Sequence, residues 1–131
     1  MQTKTVLASL LFAAIGTQAA PSVHARQADS IPLNIYEGDG CNRGPPITTA
    51  NVPTDGSCFA FSPILSSQTD SARIDAAGSL PAGCTLTIFN TNNCSPNGNN
   101  VPIRSTGNCA TFGAGNPLDP FIRAARVSGT C

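Results

Sequence analysis

The sequence predicts an all-β protein, a single sandwich assembled from two four-stranded halves and cross-linked by three disulfides. Three observations lead there. Eleven prolines and twelve glycines break the chain into short apolar runs, and no helical periodicity emerges after Ser30. The run Leu33-Asn34-Ile35-Tyr36, followed by Cys41, is echoed by Leu86-Thr87-Ile88-Phe89, followed by Cys94. All six cysteines, at Cys41, Cys58, Cys84, Cys94, Cys109 and Cys131, lie downstream of an apolar N-terminal segment.

That segment reads as a secretion signal. Lys4 precedes an apolar run at 6–15, and Thr17-Gln18-Ala19 carries the small residues that signal peptidase requires. Cleavage is expected after Ala19, giving a signal at 1–19, with Ala25 as a later alternative. Residues 20–31 then form an N-terminal tail, and 32–131 a single duplicated domain. The run is too short to span a bilayer, which needs about 20 apolar residues.

In the first half, strands are expected at 33–37, 47–52, 57–61 and 72–76. The Gly, Asp and Asn residues between the first two mark a hairpin loop, with Gly38 and Gly40 expected to supply positive φ. Alternation in Cys58-Phe59-Ala60-Phe61 puts both phenylalanines on one face. The second half repeats the order at 85–90, 100–105, 108–112 and 122–128. Tyr36 matches Phe89, Cys41 matches Cys94, and Ala72-Arg73-Ile74 matches Ala125-Arg126-Val127, all at a spacing of 53. Helical turns are expected only at 63–65 or around 117–119. A half of this size cannot cover its own apolar face, whereas two halves can. Tyr36, Phe59, Phe61, Phe89 and Phe112 are expected to form the core.

Composition excludes several functions. Loss of Lys4 leaves six arginines against six Asp and one Glu. No basic patch remains to neutralise a phosphate backbone, so no nucleic acid partner is expected. Nor does any basic amphipathic helix point to a membrane. His24 is the sole histidine and lies at or before the cleavage region, which removes histidine-dependent catalysis and histidine zinc sites. The even cysteine count in a secreted chain of roughly 110 residues reads as three disulfides. No Cys-x-x-Cys pair is present to suggest zinc or redox chemistry.

The two halves resemble βγ-crystallin Greek-key motifs. The resemblance rests on Tyr36-x4-Cys41-x2-Gly44 and Phe89-x4-Cys94-x3-Gly98, and on Ser71-Ala72-Arg73-Ile74 with its weaker copy Ala124-Ala125-Arg126-Val127. In both hairpins a cysteine stands where that family carries its second aromatic. The secreted, cysteine-rich, histidine-poor version is similar to small secreted proteins of filamentous fungi that share this fold, including apoplastic effectors. The resemblance implies a βγ-crystallin-like sandwich of two four-stranded Greek keys.

Family members that bind calcium use a loop of paired Asn or Asp residues ahead of a Ser/Thr-Ser. This chain has Ser66-Ser67-Gln68-Thr69-Asp70-Ser71 and Asp119-Pro120-Phe121-Ile122-Arg123-Ala124 in those places. Neither offers enough oxygen ligands, so no metal or other cofactor is expected. Glu37, Asp39 and Asn42 read as a solvated hairpin tip. Glu37 with Asp39 or Asp75 is the carboxylate pairing to weigh for glycoside hydrolysis, but no Trp is present to stack a sugar. Arg73 and Arg126 read as strand residues whose stems pack on the sheet and whose heads bond a loop or carboxylate. Asn93-Cys94-Ser95 is a formal N-glycosylation acceptor at Asn93, opposed by the central cysteine and by Pro96.

Fifteen disulfide connectivities are open to six cysteines. The duplication favours self-mapping sets, and Cys41–Cys58, Cys94–Cys109 and Cys84–Cys131 is the expected one. A link from Cys41 or Cys58 to the other half satisfies the same symmetry. The expected role is a secreted, monomeric, non-enzymatic effector acting on an extracellular host protein or cell-wall component. A secreted killer-toxin-like or antimicrobial protein is the alternative.

Overall fold

A computed structural model describes residues 29–61, 69–112 and 121–131. The expected leader and both expected helical turns lie outside these residues. The described chain contains eight strands and no helix: β1 (Ser30–Tyr36), β2 (Thr48–Pro53), β3 (Phe59–Ala60), β4 (Ser71–Arg73), β5 (Cys84–Phe89), β6 (Asn100–Ile103), β7 (Ala110–Thr111) and β8 (Ala124–Gly129). Each expected strand is found, most of them shortened at the ends. β1 extends the other way and opens at Ser30, inside the expected tail, because Ile31 is fully buried and continues the inward row.

Two four-stranded antiparallel sheets result, one ordered β2-β1-β4-β7 and the other β6-β5-β8-β3. The orders are the same once β1–β4 are matched with β5–β8, except that each half sends its third strand into the other half's sheet. Ser71 pairs with Thr111 and Ala72 with Ala110. The counterpart contacts are Phe59 with Ala125 and Ala60 with Ala124. Neither sheet can therefore be completed without the other half.

Period-two alternation selects the core. β1 points Ile31, Leu33 and Ile35 inward, and β5 points Cys84, Leu86 and Ile88 inward. Val52, Ile74, Ile103, Ile122 and Val127 join them in the cluster. Each fully buried aliphatic side chain stabilises the fold by about 1.5–3 kcal/mol relative to exposure.

The expected aromatic core holds in part: Tyr36, Phe61 and Phe89 are buried, Phe61 within the main cluster, while Phe59 and Phe112 pack against that cluster partly exposed. The Phe59 and Phe61 rings do share a face and meet edge-on at 5.6 Å. Phe89 lies in a separate small cluster with Cys94 and Ala124. Tyr36 and Phe89 follow Ile35 and Ile88 directly, so the pleat turns them onto the opposite face from the aliphatic rows.

Candidate functional site

The disulfides are Cys41–Cys109, Cys58–Cys94 and Cys84–Cys131, with Cα separations of 5.9, 5.8 and 4.9 Å. No described cysteine is free. The third bridge is the expected one, but the other two join opposite halves instead of closing each half. Strand exchange is the reason: it carries Cys109, just ahead of β7, to the first hairpin loop, and Cys58, just ahead of β3, to the second. Cys84 stands in β5 where β1 has Ile31, so the third bridge replaces a core aliphatic and ties the chain end to the β5–β8 pair.

Cys41 and Cys94 also occupy left-handed backbone, at φ 52° and 53°. Such geometry is uncommon for residues other than glycine. Gly38 has positive φ at 75°, as expected, but Gly40 does not; the cysteine takes that part in the loop. In the first half, Ser71 clamps the loop from below: its hydroxyl donates to the Gly38 carbonyl at 2.6 Å and accepts from the Cys41 amide at 3.1 Å. The second half has Ala124 in place of Ser71, and there Phe89, Cys94 and Ala124 make a dry contact instead. The repeated aromatic-to-cysteine spacing was the sequence signal for this clamp, and Ser71 in the strand motif was its other half.

On the face of β1 and β4 away from the core, five residues form one hydrogen-bonded cluster. Asp75 accepts from Asn34 Nδ2 at 2.5 Å, from the Tyr36 hydroxyl and from Arg73 Nε. Arg73 Nη2 donates to the Tyr36 oxygen at 3.1 Å, and Thr49 Oγ1 donates to Asn34 Oδ1 at 2.6 Å. Arg73 also lies over the Tyr36 ring, 5.0 Å from its centroid. Register explains the assembly: Asn34 faces Thr49 on one side and Arg73 on the other, and Tyr36 is two residues along the same face.

The electrostatics follow from those bonds. Partial desolvation pushes the Asp75 carboxyl up, but hydrogen bonds from Tyr36, Asn34 and Arg73, with the guanidinium charge, outweigh it and hold the group below its ordinary value. Burial raises the Tyr36 phenol, and the hydrogen bond and charge of Asp75 raise it further against the opposing Arg73. The Arg73 guanidinium is held protonated chiefly by its bond to Asp75. A carboxylate already accepting from three donors is a poor general base, and a phenol raised this way is a poor acid. The cluster is built to fix two strands and the segment after them.

The other residues weighed for chemistry do not join it. Glu37 is exposed and makes no described contact with Asp75. Arg126 repeats the position of Arg73 and lies 5.6 Å from the Phe89 ring centroid, but Phe89 has no hydroxyl and Ser128 stands where Asp75 would be. Arg73 meets a carboxylate as expected, whereas the described contact of the exposed Arg126 is with the Phe89 ring. Asn93 is exposed, and its Oδ1 accepts from the Ser95 amide at 3.2 Å, next to the buried, disulfide-bonded Cys94. Of the two calcium-loop segments, 69–71 and 121–124 are described; Thr69 and Ser71 are buried. No group of three or more His, Cys, Asp or Glu among the described residues could hold a metal ion. No described helix is long and apolar enough to cross a membrane.

Comparison with known proteins returns no matching family model, no matching curated protein and no matching solved structure.

Proposed function

We propose that this chain is a secreted, non-enzymatic effector that acts outside the cell on a host receptor or on host immunity. Its scaffold is a βγ-crystallin-like sandwich of two Greek-key motifs. The observation that carries the reading is the pair of disulfides linking opposite halves. Disulfides persist in oxidising, extracellular compartments, and each contributes about 2–4 kcal/mol by restricting the unfolded chain. A domain so cross-linked suits a protease-rich space, where it would present its loops as a fixed epitope.

Two further features support the reading. The exchange of third strands between matched halves supports the Greek-key description. The polar cluster around Asp75 has its carboxylate and phenol engaged with each other and with Arg73, which favours a structural part over catalysis. The pattern likeness to fungal secreted proteins suggests a plant as the host.

The test is to infiltrate the purified oxidised protein into leaves of several plant genotypes and to add it separately to growing microbes. Cell death or altered immune output in some genotypes, with microbial growth unchanged, is the expected outcome. Growth arrest of microbes without any plant response would overturn the effector reading in favour of a toxin.

A further inference from the structure

The corner where the second half's hairpin loop meets the exchanged strand differs in charge from its counterpart. Ala60, Phe61, Asn92 and Arg123 wall a concavity of about 120 Å³ there. We propose that this concavity binds a small carboxylate bearing a compact apolar body, a ligand of the benzoate class. The proposal is independent of the extracellular role argued above.

Arg123 supplies the charge. No described carboxylate meets its guanidinium, since the described ion pair is that of Arg73 with Asp75. Its backbone is held on both sides, the amide donating to Phe89 O at 2.9 Å and the carbonyl accepting from the Phe61 amide at 3.0 Å. Its head lies 4.2 Å from the Phe121 ring centroid, which limits its rotamers before any ligand arrives. A planar guanidinium fork fits a carboxylate through two parallel bonds, and such charge-assisted bonds are roughly twice as strong as neutral ones.

The other described walls bear on the rest of the ligand. Phe61 is buried, at 8% exposure, and is met edge-on by Phe59, so it offers a fixed apolar surface. Asn92 contributes an amide from a loop anchored by Cys58–Cys94, with the Cys58 sulfur 3.8 Å from the Asn92 carbonyl oxygen. A cavity near 150 Å³ admits benzene; the volume of about 120 Å³ is close to that, so the ligand's apolar body is no larger than a ring or short branched chain, with its carboxylate at Arg123. Broader and more open depressions lie beside Arg104 and Arg126.

The matched corner of the first half carries the opposite charge. Thr111 and Phe112 replace Ala60 and Phe61, and Asp39 and Asp70 replace Asn92 and Arg123. An anion meets a like charge there instead of a cation.

The test titrates the isotopically labelled, fully oxidised protein with benzoate, benzamide and acetate, followed by NMR. Expected are saturable shifts at the Asn92 side-chain amide and Arg123 Nε–H, with benzoate bound at least tenfold more tightly than the other two. Arg123→Gln and Asn92→Asp should each weaken benzoate at least tenfold, the second by placing a negative charge in the concavity. Arg126→Gln should bind as the parent does. Absence of saturable shifts at tens of millimolar benzoate would overturn the proposal. So would benzamide binding as tightly as benzoate, or undiminished affinity in both corner variants.

Discussion

Asp75 shows how much one exposed carboxylate can organise when three donors converge on it. Its bonds to Asn34, Tyr36 and Arg73 span two strands and the turn after β4. Because its folded pKa is depressed, the stability it contributes is present above its unfolded value, near 3.8, and is lost as pH falls through the folded value. Thermal melts followed from pH 7 down to pH 2 should therefore show an acid limb that flattens in Asp75→Asn. At pH 7 the same substitution should lower stability by about 1 kcal/mol, the scale of exposed hydrogen-bonded ion pairs. Ser71 carries a different load. Ser71→Ala leaves the buried Cys41 amide without its acceptor and should cost about 1–3 kcal/mol. Urea unfolding reads that loss; in the second half Ala124 holds the matched position and packs with Phe89 and Cys94.

At the level of elements, every strand was legible because alternation and turn residues are local signals. Leu33, Ile35, Leu86 and Ile88 announce their faces by period two alone. The aromatic residues were legible in part: Tyr36 and Phe89 are buried, but one residue out of phase with the inward rows and so on the opposite face. Ile47 likewise belongs to no strand and remains exposed at the hairpin end. Substituting an inward residue should dominate stability. Ile88→Ala is expected to cost about 2–5 kcal/mol in chemical unfolding, while Ile47→Ala should be near neutral. Gly129, at the end of β8, has φ 92°, and a Cβ there would collide with the Gly83 carbonyl beside the Cys84–Cys131 bridge. Gly129→Ala should therefore destabilise by about 1–3 kcal/mol, read as a lowered melting temperature.

For the molecule as a whole, the decisive event is the exchange of β3 and β7 between sheets, and this was not legible in the residues. The repeat announced two equal halves and permitted several symmetric disulfide sets. Choosing between them needed the partner of each third strand, a long-range pairing that alternation does not encode. Once β7 pairs with β4, Cys109 lies near Cys41, and the matched contact follows for Cys58 and Cys94. The candidate site was legible to the extent that Arg73 and Asp75 were singled out, but Tyr36 and Asn34 joined them only through register. Trypsin cleavage of the oxidised protein at Arg43, Arg73, Arg104, Arg123 and Arg126 tests the exchange directly. It separates every cysteine except Cys84 and Cys94. Mass spectrometry should find the Cys41 peptide joined to the Cys109 peptide alone, and the Cys58 and Cys131 peptides both joined to the one carrying Cys84 and Cys94. Finding Cys41 joined to Cys58, with Cys109 on the peptide carrying Cys84 and Cys94, would contradict the exchanged architecture.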